Sequence, residues 1–324
     1  MEVILAIDGG GSRTRCLAID RSGRVVGEES SGPSNHLLVA KDEVERSLGE
    51  ATAKALARGG LSHEDALCVS AGLAGVDYDG AGAREMEEIF RDLGFARAVV
   101  NGDMVIAHAG AFGGRCGVLA LAGTGSSILG VGPRGERIKV GGWGPIYGDE
   151  GSAYRIGQRA LIAAARAYDG RGPDTALMGA ILRALGLSDF RETVARVYVR
   201  GMEPREIAAL SRVAYEVAEA GDEVARAIFL RAGEELAEGV EAAARQLGFG
   251  ESEVPVSYQG AVLESCALVR RWFGEALRRR LPEASILSPR FEPVIGAYLL
   301  GREALGWPID AGLLGALETR VSAR

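Results

Sequence analysis

The sequence predicts an α/β protein of two lobes of related design, the second enlarged by helical insertions. Three observations predict it. Strands and helices alternate along the chain. One pattern of strand, glycine turn, strand, small turn and strand occurs twice. A long helical tract, about 150–247, follows the second occurrence.

Residues 3–7 read as a buried strand that runs into a glycine turn, and "RCLAIDRSGRVVGEES" reads as two strands joined at Ser22–Gly23. "KDEVERSLGEATAKALARGG" has helical periodicity and a Gly59–Gly60 stop. "ALCVSAGLAG" is a strand entering a glycine-rich loop, "GAREMEEIFRDLG" a helix, and "ARAVVNGD" a strand ending in polar residues. The pattern then restarts in "GVLALAGTGSSILGVGPRGERIKV". Past the helical tract come the strand "VPVSYQG", a helix over 261–280, the strand "ASILS" and a helix over 293–305. "LAIDGGGSRTRCLAIDRSGR" and "LALAGTGSSILGVGPRGE" show the same order of events, with Ala122 in the second where the first has Asp8. Self-similarity of this kind marks a repeated unit.

A net charge of −7 with no basic stripe excludes a nucleic-acid face. Cys16, Cys68, Cys116 and Cys266 have no C-x-x-C spacing, so neither a zinc knuckle nor an iron–sulfur cage is encoded locally. No apolar run reaches the ~20 residues that a bilayer span needs, and the chain opens directly into a strand. A soluble, cytoplasmic protein without nucleic-acid or membrane partners is the expectation.

Neither glycine turn has a Walker lysine, and a strand rather than a helix follows the first, unlike a Rossmann turn. Backbone chemistry remains. Glycines allow successive N–H groups to point at one anion, and Ser12, Thr14, Thr124 and Ser126 add hydroxyls. Two such loops facing one another across a cleft grip a polyphosphate from both sides. Asp8 suits Mg²⁺, held through water because that ion dehydrates reluctantly.

These residues, with "GPSNH" (32–36), "NGD" (101–103), "AGTGSS" (122–127), "GGWGPIYGDEGSAY" (141–154) and "YQGAVLES" (258–265), carry a resemblance. The chain resembles the sugar kinase/Hsp70/actin superfamily and, within it, the N-acetylglucosamine kinase branch of the BadF/BadG/BcrA/BcrD ATPase family. The resemblance implies two ribonuclease H-like (actin-like ATPase) lobes with a central cleft. The expected lobes are 1–113 with a C-terminal tail from about 306–324, and 114–305. It implies ATP-dependent, Mg²⁺-assisted phosphorylation of an amino sugar or hexose, foremost N-acetylglucosamine at O6, by a homodimer.

By the same resemblance Asp103 is the general base, at the strand end where open α/β sheets place ligands, although an Asp there also suits a helix N-cap. The family wording is Asn-Asp or Thr-Asp; here Gly102 precedes the Asp. ATP falls to Gly9, Gly10, Gly11, Ser12 and Thr14, to Gly123, Thr124, Gly125 and Ser126, and at the base and ribose to Gly260 and Ala261. The sugar falls to Asn35, His36, Asp103, Gly142, Trp143, Gly144 and Asp149. The plainer alternatives are a turn residue at Asn35, a solvated His36 and a core Trp143. Asp149 or Glu150 also stands where a cap for the next helix is expected. Leu37 stands where the mammalian enzyme type has Trp, so the amide pocket differs there. An activator of 2-hydroxyacyl-CoA dehydratases needs a cysteine pair that this chain lacks, and the zinc motif of ROK kinases is missing too. A non-catalytic ATP or sugar sensor is the remaining alternative, opposed by Asp103.

Overall fold

The computed structural model describes residues 1–249 and 253–321. The chain divides into two compact units: Met1–Gly117, Pro133–Arg137 and Ser288–Arg324 form one, and Val118–Gly132 with Ile138–Leu287 the other. The first opens with β1 (Val3–Gly9), β2 (Thr14–Asp20), β3 (Val25–Ser31), α1 (Lys41–Arg58), β4 (Ala66–Leu73), α2 (Ala83–Asp92), β5 (Ala98–Gly102) and α3 (Asp103–Phe112). Then follow β6 (Gly117–Ala122), β7 (Ser126–Val131), β8 (Arg137–Gly141), α4 (Ala153–Tyr168), α5 (Leu177–Leu185) and α6 (Glu192–Val194), which runs into a π-helical turn. The second unit continues through α7 (Pro204–Glu219), α8 (Glu223–Gln246), β9 (Val254–Gln259), α9 (Ala261–Ser265), α10 (Ala267–Arg280) and β10 (Ala284–Leu287). Helices α11 (Pro293–Ala304) and α12 (Ala311–Val321) return to the first.

Each unit holds one five-stranded sheet, ordered β3-β2-β1-β4-β5 in the first and β10-β9-β6-β7-β8 in the second. Read from the other edge, the second order repeats the first strand for strand, which is the duplication that the two glycine turns announce. β1 pairs antiparallel with β2 and parallel with β4, and β6 pairs parallel with β9.

The first sheet is covered on both faces, so β1 is apolar throughout rather than alternating. Val3, Leu5 and Ile7 join Val44 and Leu48 of α1 and Met86 and Phe90 of α2. Ile4 and Ala6 turn the other way, to Val294, Tyr298 and Leu314. The sequence-based lobe boundary places only 306–324 with the first lobe; α11 joins that unit because its apolar face completes this second core. Arg302, 4% exposed, is fully answered there by the Tyr298 hydroxyl and by the carbonyls of Arg21 and Pro308, as a buried charge requires.

His108 lies buried in α3, its ring nitrogen donating to the Gly117 carbonyl at 3.0 Å. Burial pushes the imidazole down to about 4. The unfolded chain therefore takes up the extra proton between its ordinary value, ~6.5, and ~4, and stability falls as pH drops through that window, by about 3 kcal/mol in full. His108→Gln is expected to flatten the loss of urea stability between pH 7 and 4.5; an unaltered slope contradicts the assignment.

One helix differs from expectation. The predicted helix over 261–280 breaks at Cys266, whose ψ of 100° ends α9 and starts α10. Arg270 compensates by donating to the freed carbonyls of Leu263 and Glu264.

Candidate active site

In the first unit the site is built where β1, β4 and β5 end. Gly9 closes β1 against the loop after β3: a Cβ on it would lie 2.3 Å from the Ser34 hydroxyl, so only glycine fits. The turn then folds on itself, Gly10 N donating to Arg13 O at 2.9 Å, and leaves Gly11 and Ser12 exposed. Thr14 has a different part. It is fully buried, donates to Gly32 O and accepts from the Ser34 hydroxyl, both at 2.8 Å, so it braces the turn and offers no hydroxyl to a ligand.

Asp103 is the first residue of α3, and its Oδ1 accepts the Met104 N–H at 2.8 Å. A carboxylate is also favoured there by the positive end of the helix. Gly102 has a steric reason: a Cβ would meet the Val76 carbonyl at 2.5 Å, excluding the Asn or Thr of the family wording. Asp8 lies close enough to sense this charge. Burial first, then Asp103, raises the Asp8 carboxyl above its ordinary value, against the pull of Arg15 and Arg13. Arg15 is itself held by Glu28 at 2.8 Å and Glu292 at 2.6 Å.

Asn35 and His36 pack against Gly75 in the loop after β4, within 2.8–3.0 Å of where its Cβ would stand. Asn35 Oδ1 accepts the Leu37 N–H at 3.0 Å, so the half-buried side chain does serve the turn. His36 Nδ1 is buried with no hydrogen-bond partner, which is unlike a merely solvated histidine.

In the second unit the β6–β7 turn is the centre. Gly123 N donates to Gly125 O, and the first amides of α4 close onto the turn, Ala153 N to Gly123 O at 2.9 Å and Tyr154 N to Thr124 O at 3.1 Å. Gly260, at φ +94°, brings β9 against it; a Cβ there would sit 2.5 Å from Ala122 O. The turn separates two hollows. Gly123, Thr124 and Ala261 line one of ≈470 Å³, with Phe229, Tyr215, Arg205, Arg212, Ser265 and Cys266. Ser126 lines the other, ≈450 Å³, with Trp143 and Glu150. Ser126, expected beside Thr124, thus faces the GGWG loop: its hydroxyl donates to Glu150 O at 2.6 Å.

Asp149 is buried, accepts the Ser126 N–H at 3.3 Å, and has a left-handed backbone, φ 56°, unusual for a non-glycine residue. Burial raises its carboxyl. Neither it nor Glu150 caps α4; Ser152 does, accepting the Arg155 N–H at 3.1 Å. Gly142 and Gly144 also take positive φ, +71° and +80°, throwing Trp143 outward. Trp143 is 65% exposed and its ring lies 6.4 Å from that of Tyr147, so the core alternative fails. Arg155, absent from the sequence-based site, holds the loop by donating to Gly148 O.

The α7 residues of the larger hollow also went unseen in the sequence: an amphipathic helix with Arg205, Arg212 and Glu216 on its outer face reads the same whether that face meets water or a ligand. Among the described residues no helix is long and apolar enough to cross a membrane, and no cluster of three or more His, Cys, Asp or Glu could hold a metal unaided.

Comparison with known proteins agrees with this architecture. An N-acetylmuramic acid/N-acetylglucosamine kinase of Clostridium acetobutylicum is 33% identical over 303 residues, 93% of this chain and 99% of the relative. An N-acetyl-D-glucosamine kinase of Dictyostelium discoideum is 28% identical, over 92% of this chain and 97% of its own. A candidate N-acetylglucosamine kinase from Chromobacterium violaceum superposes with a TM-score of 0.74 at 27% identity, covering 93% of this chain and 99% of that one. A ROK family glucokinase from Streptomyces griseus, at 17% identity with a TM-score of 0.54 over 93% and 99% of the two chains, shares the fold. The family model for BadF/BadG/BcrA/BcrD ATPases matches residues 5–301, and with the duplicated sheets and their glycine turns it settles the kinship: the chain belongs to the BadF/BadG/BcrA/BcrD ATPase family.

Proposed function

We propose that this protein is an ATP-dependent amino-sugar kinase that transfers the γ-phosphoryl group to O6 of N-acetylglucosamine. The observation that carries the reading is the carboxylate pair of the first unit, Asp103 at the head of α3 with Asp8 beside it. The activities named for the relatives support it, as does the single hollow that gathers Gly123, Thr124 and Ala261 for a nucleotide.

In this reading Asp103 is the base, the Gly9–Ser12 and Gly123–Gly125 turns hold phosphate, and Asn35, His36, Gly142, Trp143, Gly144 and Asp149 bind the sugar. Gly260 shapes the nucleotide hollow from behind. The sugar hydroxyl oxygen forms its bond to Pγ while the bond from Pγ to the β,γ-bridging oxygen breaks. ADP leaves with that electron pair, and Asp103 takes the hydroxyl proton. Backbone N–H groups of the two turns stabilise charge that grows on the phosphate oxygens.

The residues fit Mg²⁺. Asp8 is a carboxylate whose charge burial and Asp103 make costly, so a cation is welcome there, and Mg²⁺ needs only one or two carboxylates because it keeps several waters. When bound, the ion neutralises charge on the β- and γ-phosphates. Asp8→Ala is expected to raise the Mg²⁺ concentration for half-maximal activity at least ~10-fold; an unchanged Mg²⁺ dependence removes Asp8 from this role.

Steady-state ADP release with N-acetylglucosamine, glucosamine, glucose and N-acetylmannosamine tests the proposal. Release should depend on sugar and be fastest, by kcat/KM, with N-acetylglucosamine. Release at one rate whatever the sugar contradicts it.

A further inference from the structure

The hollow of ≈450 Å³ lies wholly within the second unit, between β7, β8 and α8, and the acceptor residues named above leave most of its wall unused. It is of a size for small-molecule sites. Its lining brings together Trp143, Glu150, the α8 residues Arg231, Glu235 and Glu238, and Ser127 of β7. Ser127 is 8% exposed, and its Oγ has no hydrogen-bond partner. Buried hydroxyls are ordinarily paired, so an unpaired one beside an open hollow points to a ligand group that completes it.

The charges say what kind of group. Glu235, its side chain 7% exposed, is answered by Arg159 at 2.5 Å and by Arg231 at 3.1 Å, so the one guanidinium of the lining is already engaged. Glu150 is exposed, and Glu238 keeps a 58% exposed side chain with Arg280 only at 3.9 Å. Carboxylates that accept hydrogen bonds, a hydroxyl and a flat indole face suit the hydroxyls and C–H face of a neutral pyranose. A ligand carboxylate would meet Glu150 and Glu238, while the lining's one guanidinium is already paired with Glu235.

We infer that this hollow is a second sugar subsite, so that the acceptor class extends to an amino sugar carrying one further neutral sugar unit. The inference rests on the amino-sugar kinase reading. Phosphoryl transfer is unchanged: the acceptor oxygen gains Pγ, ADP keeps the electron pair of the broken bond, and Asp103 takes the proton.

The test compares N-acetylglucosamine, N,N′-diacetylchitobiose and N-acetylmuramic acid as acceptors, with calorimetric binding of each. The disaccharide should reach a kcat/KM within tenfold of the monosaccharide, and the carboxylated sugar should fall at least tenfold below the disaccharide. Ala242→Phe fills the hollow from α8 and should cost the disaccharide at least tenfold while N-acetylglucosamine stays within twofold. Should that variant fold poorly, Glu238→Gln, at an exposed helix position, should weaken the disaccharide alone by severalfold. Wild-type protein that phosphorylates N-acetylglucosamine but neither binds nor turns over the disaccharide overturns the subsite and leaves the kinase reading intact. Equal losses for both sugars in both variants overturn it as well. Failure to phosphorylate any sugar overturns both.

Discussion

Asp103→Asn is expected to lower kcat with N-acetylglucosamine and MgATP by about 10²–10⁴-fold, the range lost with a general base, while ATP affinity stays within a factor of about two. The fold should survive, for three reasons. The Asn oxygen still accepts the Met104 N–H that Asp103 accepts at 2.8 Å. Loss of negative charge at the head of α3 costs ~0.3–1 kcal/mol. Relief of the repulsion that raises Asp8 offsets part of that cost. Nucleotide binding by calorimetry and single-turnover phosphorylation check the separation. Near-normal turnover removes Asp103 from the base role, whereas lost nucleotide binding moves it into the phosphate site.

The second large effect is at Asp149. Its carboxylate is buried, its pKa is raised by that burial, and its backbone sits at φ 56°. The buried charge and the left-handed backbone are both costs, and in the proposed role a sugar whose hydroxyls donate to the carboxylate offsets the first. Asp149→Gly removes the carboxylate and relaxes the backbone, since glycine takes a left-handed conformation freely. KM for N-acetylglucosamine is expected to rise ~10²-fold, from about 3 kcal/mol of lost charged hydrogen bonds, while the melting temperature holds or rises. Asp149→Ala should lose as much affinity and be less stable than the glycine variant by about 1 kcal/mol, because alanine keeps the left-handed strain. An unchanged KM in the glycine variant reduces Asp149 to a prop for Ser126 and Gly125.

Much of this was legible in the sequence, because the features that carry it are local. A glycine turn between two apolar strands is a matter of neighbouring residues, and its recurrence at Gly123–Gly125 announces the second sheet. What was hidden depends on approach across the fold. Gly102 looks like a departure from the family wording until the Val76 carbonyl is found where its Cβ would be. Thr14 and Ser126 carry hydroxyls on the right turns, yet strand alternation buries one and turns the other toward Glu150. The break at Cys266 has no proline or glycine to mark it and depends on Arg270, a full turn later, to cap the loose carbonyls. Ser152 outcompetes two adjacent acids as the cap of α4 because Asp149 is spent on the β6–β7 turn.

The most direct measurement of the central claim is the fate of the γ-phosphate, followed by ³¹P NMR in a mixture of the protein, MgATP and N-acetylglucosamine. One N-acetylglucosamine 6-phosphate is expected for each ADP formed, with little inorganic phosphate. ADP accompanied by an equal amount of inorganic phosphate, and no sugar ester, contradicts it.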